Sequence, residues 1–326
     1  MVDFRYHLVS IVAVFLALGI GIVFGTTAIN RAILDNLDGN VQRLTAEKRA
    51  LEEERRVLAD RAGDADAWGD AVSSRLVDGV LAGERVVVVS APGADKAVRD
   101  GVVKELAAAG ATVTGRIRLS GALADASRAT ELEDLVVREL PAGLTLPGAG
   151  ATPAQRALAE LAYVVSLGAD DVSQPGAPPA ATTRVLAGLR ERGFLAIDGK
   201  TVLPARNVVV VLPGLVAPPS PPASPSATGE PGRPLGVETV AAFASLTSRP
   251  ALVAAAPAGG SVAGTDLEAV RADDLLNDTV SSVDDADTVY GRTALVLALR
   301  ESRRGGVGHY GNGVGAEAPV PTPAAS

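Results

Sequence analysis

The sequence predicts an α/β protein built in three parts: a single N-terminal transmembrane helix, a coiled-coil helix, and a mostly parallel α/β sandwich domain. Three observations carry this. Residues 8–30, LVSIVAVFLALGIGIVFGTTAIN, contain no charge. Leucines and valines then recur at steps of three and four. Beyond them, short β-branched runs alternate with helical patterns.

The uncharged run sets the first boundary. An apolar helix of about 20 residues crosses the roughly 30 Å hydrocarbon core. Arg5 and His7 precede the run and Arg31 follows it. A cleaved signal peptide is the rival, but its apolar core is shorter, about 7–15 residues, and a small-residue cleavage site should follow. Here Thr26-Thr27-Ala28-Ile29-Asn30 follows, a poor site. We read residues 1–30 as an uncleaved anchor in the cell membrane. Ala13, Ala17, Gly21 and Gly25 recur every fourth residue, and small residues on one face let membrane helices approach closely. Gly21 and Gly25 are therefore candidate pairing residues, although Gly and Ala are common in membrane helices anyway.

Residues 31–62 carry the heptads. Leu34, Leu37, Val41, Leu44, Lys48, Leu51, Arg55 and Leu58 occupy alternating a and d positions. No Gly or Pro interrupts 46–62, as a long helix needs. Lys48 and Arg55 stand at a positions, where charge costs stability but fixes register. Each could reach Glu47 or Glu54 of a second chain, while Glu47 facing a partner's Glu52 is a like-charge contact. Two copies anchored in one membrane run parallel, so the expectation is a parallel homodimer. A single amphipathic helix packed on the body, or a coil with a different protein, is the alternative. Gly63–Gly69 is expected to end this helix, with a further short helix through Val72–Leu81.

The domain is expected over 63–313. Glu84–Ser90 is a continuous β-branched run, as in a buried parallel strand. A helix over Ala94–Ala109 and a strand over Ala111–Leu119 complete a βαβ unit. Helices are expected at Ser127–Glu139, Pro153–Tyr163 with Thr152 as N-cap, Thr182–Arg192 and Tyr290–Arg303. Strands are expected at Val164–Leu167, Phe194–Ile197, Val208–Leu212 and Leu252–Ala256. Alternating elements of this kind make layered α/β domains. Residues 217–234, with seven prolines in eighteen positions, form an expected exposed loop, and 314–326 an expected disordered tail.

Composition excludes several chemistries. The net charge of −8 and the lack of a basic patch with interleaved aromatics argue against nucleic acid. There is no cysteine, one methionine and two histidines, His7 and His309, so no soft multi-ligand metal site fits within one subunit. No cofactor is expected. Ser90–Asp95 lacks the dinucleotide glycine pattern, and Gly193–Thr201 has five residues between glycines where a phosphate-binding loop has four. Asp284, Asp285 and Asp287 could attract a hard cation, but match no EF-hand spacing and are expected to be a solvated turn. His309 and Tyr310, in Gly308-His-Tyr-Gly311, could serve acid–base chemistry. We prefer a packed pair closing the domain. Asp284, Asp287, His309 and Tyr310 remain the candidate functional surface, and no enzyme activity is expected.

The opening DFRYHLVSIVAVFLALGIGIVFG, the heptads, and the closing SSVDDADTVYGRTALVLALRE with GGVGHYG resemble the MctB family of actinobacteria, named for mycobacterial copper transport protein B. The resemblance spans nearly the whole chain. It implies a role in copper efflux or homeostasis in the cell envelope, with an outer-membrane pore proposed for some members. Related SteB-type members imply instead a scaffold for daughter-cell separation acting with a division partner, SteA. No catalytic or copper-ligand motif transfers to numbered positions here. The expected strands, apolar on both faces and separated by helices, are not those of an outer-membrane barrel. Positive charges near the anchor, Arg5 before it against Arg31, Arg43, Lys48 and Arg49 after it, would keep the body inside by a simple count. Long domains cross largely regardless of charge, so we read the body as extracytoplasmic.

Overall fold

The computed structural model describes residues 4–148, 150–167, 177–199, 201–214, 233–246, 250–257 and 264–321, apart from the side chains of 4–5 and 24–39. The Pro-rich loop falls almost entirely outside the described residues, as do the side chains of Gly25 and Leu37 and the last five residues. Two compact units divide the chain, Met1–Ala65 and Asp66–Ser326.

One helix, α1 (Phe4–Val77), begins in the first unit and ends in the second. In the first unit, Tyr6–Val23 is long and apolar enough to cross a membrane. Residues 40–65 are exposed all round. Their helix is braced by pairs of opposite charge one turn apart, Arg43–Glu47, Lys48–Glu52 and Glu53–Arg56. Such pairs contribute a few tenths of a kcal/mol each. The expected break at Gly63–Gly69 does not occur, and Val72–Val77 is the last part of the same helix. A mid-helix Gly costs only about 1 kcal/mol, which tertiary contact can outweigh. Gly69 is such a contact: an added Cβ would lie 3.3 Å from Val289. Ser73 and Val77 are buried in the second unit.

That second unit is the α/β sandwich. Its strands are β1 (Arg85–Ser90), β2 (Thr112–Leu119), β3 (Leu195–Ile197), β4 (Asn207–Val211), β5 (Ala251–Ala255), β6 (Ser281–Val283) and β7 (His309–Tyr310). They form one sheet in the order β3-β2-β1-β4-β5-β6-β7. Every pairing is parallel except β2 with β3. Alternating side chains feed two cores. Val87, Val89, Val208 and Val210 face helices α3 (Ala129–Glu139), α4 (Pro153–Val165), α5 (Pro179–Glu191), α6 (Leu235–Ala244), α7 (Asp266–Ala272) and α8 (Asp274–Asn277). Val86, Val88, Val209 and Val211 face the end of α1, α2 (Lys96–Ala108) and α9 (Val289–Ser302). The double-sided burial explains why these strands are continuous valine runs.

Thr152 caps α4 as expected, in a reciprocal capping box with Gln155. The expected strand at Val164–Leu167 is corrected: α4 runs to Val165, and only Ser166 makes an isolated bridge to Ala205. The tail is corrected in part. Residues 314–321 are placed against β7, where Glu317 and Gly311 close backbone hydrogen bonds with His309 and Ala318. Helices α6–α8 and strands β6 and β7 were not expected from the sequence.

Glu160 is the one buried acid of α4, and its Oε1 has no hydrogen-bond partner among the described residues. Burial, with a smaller push from Glu139, raises its carboxyl from 4.5 to about 8. Because the folded chain holds this proton to higher pH than the unfolded chain, stability falls as pH rises from about 4.5 toward 8. Glu160→Gln is expected to raise the urea midpoint at pH 8 and to flatten its decline between pH 5 and 8. Unchanged midpoints across that range would refute this.

Candidate functional site

The closing motifs converge at one end of the sheet, beyond the carboxyl ends of β5, β6 and β7. At their centre is a buried ion pair. Arg271, near the end of α7, and Asp284, directly after β6, are 8% and 3% exposed. Arg271 Nη1 donates to Asp284 Oδ2 at 2.9 Å. Three more of its five donors are used, Nε on Ser282 Oγ at 2.7 Å, Nη1 on Val314 O at 3.0 Å and Nη2 on Tyr310 O at 2.8 Å. Backbone N–H groups of Asn312 and Gly313 donate to Asp284 at 2.7 and 2.9 Å. Burial pushes the Asp284 carboxyl up. The hydrogen bonds from Asp285, Asn312, Arg271 and Gly313 outweigh it and hold the group below its ordinary value.

The Asn277 carbonyl fixes the tautomer of His309. Its Nε2 lies 3.1 Å from the carbonyl of Asn277, so it carries the proton. Ser282 Oγ accepts from Arg271, leaving its hydroxyl proton for His309 Nδ1 at 2.8 Å. Both nitrogens of His309 are therefore engaged, an arrangement that suits the neutral imidazole. Burial, the largest influence, lowers its pKa in the same sense. Tyr310, its neighbour on β7, donates its hydroxyl to Glu301 of α9, and burial raises its pKa.

Asp285 holds the turn into α9. It adopts φ 58°, the left-handed region that L residues rarely occupy. Its backbone carbonyl accepts from Thr288 N–H and Oγ1, each at 2.8 Å. Its carboxylate accepts from Tyr290 and Asn312. Burial and a hydrogen bond with Asp284 raise its pKa. The glycines of the motif answer to crowding. A Cβ at Gly291 would collide with the Asp285 carbonyl, and one at Gly311, which sits at φ 120°, would collide with the Asp284 carboxylate.

The sequence candidates are thus sorted. Asp284, His309 and Tyr310 come together. Asp287 is exposed on the turn. The expected solvated acidic turn is corrected, since Asp284 and Asp285 are buried and Asp284 is neutralised by Arg271. No group of three acidic, histidine or cysteine side chains among the described residues could hold a metal. A small cavity beside this network, lined by Pro213, Gly214, Thr265, Glu268, Arg271 and Asp284, has room for about one water. At the reversal of strand order between β1 and β4, where doubly wound sheets bind nucleotides, Asp95 caps α2 and takes the N–H groups of Ala97 and Val98. A phosphate would need those same donors. Arg271, Ser282 and Tyr290 were missed by sequence reasoning. The glycines packed around them were the available signal.

A family model described as copper transport outer membrane protein, MctB, matches residues 1–321. The chain belongs to the MctB family. The copper transporter MctB of Mycobacterium tuberculosis (strain H37Rv) is 31% identical over 319 residues, 97% of this chain and 98% of that protein. The copper transporter MctB of Mycobacterium leprae is 29% identical over 322 residues, with the same coverage. In this MctB-family chain the motif that suggested the family forms a buried clasp. It ties β6, β7, α7, α9 and the segment after β7 together.

Removing one partner of a buried pair strands the other charge, at about 3–5 kcal/mol. Arg271→Met is expected to destabilise the α/β unit by that amount in urea denaturation. Asp134→Asn, on the exposed side of α3, is expected to change it by less than about 0.5 kcal/mol. Equal effects would refute the clasp.

Proposed function

We propose that this chain is a non-enzymatic, single-pass envelope protein that serves copper homeostasis in an accessory, oligomeric role, with its α/β body outside the cytoplasm. Family membership supports the copper context. The observation that carries the accessory role is His309: both its nitrogens are committed, in a chain with no cysteine, one methionine and one other histidine. Copper(I) prefers thiolate and thioether, and copper(II) imidazole. A subunit with this donor set does not cage copper alone, so cargo would pass through, or be handled by, an assembly. The described strands lie in one open sheet buried on both faces, which also suits an accessory body better than a lipid-facing barrel wall.

The assembly we propose is a parallel homodimer through Leu37, Val41, Leu44, Lys48, Leu51, Arg55 and Leu58, with Gly21 and Gly25 on the pairing face of the anchor. Val41, Leu44, Leu51 and Leu58 are all more than half exposed. An apolar stripe of this kind along one helix needs a partner. Lys48 pairs with Glu52 of its own chain, which eases the like-charge contact between Glu47 and a partner's Glu52.

Two measurements test the proposal. Titrating the full-length chain in detergent with copper(I), against a competing chelator, should show no tight stoichiometric site. A one-to-one complex would contradict the accessory role. Cells lacking the gene should accumulate copper under graded exposure and recover on complementation. Unchanged copper would remove the copper function itself.

A further inference from the structure

The proposed dimer leaves the last turns of α1 unexplained. Trp68, the only tryptophan, is 71% exposed and Leu76 is 60% exposed. Both belong to the unit Asp66–Ser326, whose own contacts with this segment lie on another side. Asp66 accepts the N–H of Val289, Asp70 meets Lys104, and Ser73 and Val77 are buried. At 100° per residue, Trp68, Val72 and Leu76 lie on successive turns of one face, about a third of a turn away from Asp66, Asp70, Ser73 and Val77. The unit leaves Trp68 and Leu76 uncovered and half-buries Val72 between them.

The spacing continues the heptads. After Leu58 come Ala62, Ala65, Gly69, Val72 and Leu76, at steps of four, three, four, three and four, and the helix is unbroken across them. We infer that the contact between two copies of this chain continues onto the α/β unit, with Trp68, Val72 and Leu76 packing against the same face of the second copy. This rests on the dimer proposed above.

Two further observations select a second copy as the occupant. In a parallel pair Arg61 at g faces Asp66 at e of the other chain, an attraction, and Ala62 and Ala65 let the backbones close in. The heptads before them offer Val41, Leu44, Leu51 and Leu58 among the described side chains, interrupted by Lys48 and Arg55. A stable interface buries about 800 Å² per partner, and one buried aromatic supplies about 150–250 Å² of it. Trp68 is the largest apolar side chain available to complete the seam.

The single tryptophan and the absence of cysteine make the test direct. Acrylamide quenching of Trp68 would be measured in the full-length chain in detergent, beside a doubly substituted Leu44→Asp, Leu51→Asp chain in the same detergent, with sedimentation giving the oligomeric state. The expected result is a wild-type dimer whose quenching constant is at least threefold below that of the monomeric variant. Leu76→Cys should also oxidise to a covalent dimer in the wild-type background and not in the doubly substituted one. A wild-type dimer with Trp68 quenched as freely as in the monomer overturns this inference and leaves the heptad seam standing. A wild-type monomer overturns both.

Discussion

The end of the sheet is organised by one pair of buried charges. Arg271 and Asp284 cannot stay ionised away from water unless every donor and acceptor around them is met. That requirement recruits Ser282 from β6, the Tyr310 carbonyl from β7, the Val314 carbonyl, and the N–H groups of Asn312 and Gly313. His309 is then held through Ser282 and the Asn277 carbonyl. Three short elements, two of them strands of two or three residues, are placed by this network rather than by strand length. The glycines of the motif are the space it needs.

The same network keeps the most conspicuous histidine of this MctB-family chain engaged at both nitrogens. A free imidazole lone pair at Nδ1 would require the Ser282 hydroxyl to give up its bond. Ser282 is meanwhile occupied by Arg271. The cost of exposing His309 is therefore tied to the stability of the whole clasp. In the reading proposed above, the metal is handled elsewhere in an assembly.

Much of the fold was legible because the signals were long. The valine runs of β1 and β4 and the capping box at Thr152 are local patterns, and the structure keeps them. The failures were local signals outweighed by tertiary contact. Gly63 and Gly69 suggested a helix end, but Gly69 admits Val289 and the helix continues. Val164 and Val165 have strand-like side chains, yet α4 uses them as a buried helix face. Strands β6 and β7 are too short for periodicity to reveal. In the site, Asp284 and His309 stood out by composition. Arg271, 13 positions before Asp284, looks in sequence like any surface arginine. Its role depends on topology that places α7 beside β6 and β7.

The central claim is that His309 is a structural, neutral imidazole and not a copper ligand. Long-range proton–nitrogen correlation of the histidine side chains would test it most directly, in the full-length chain before and after one equivalent of copper(I). The account predicts that His309 shows the neutral form with its proton on Nε2, and that its two nitrogen shifts do not move when copper is added. A displacement of Nδ1 to a metal-bound position would contradict it.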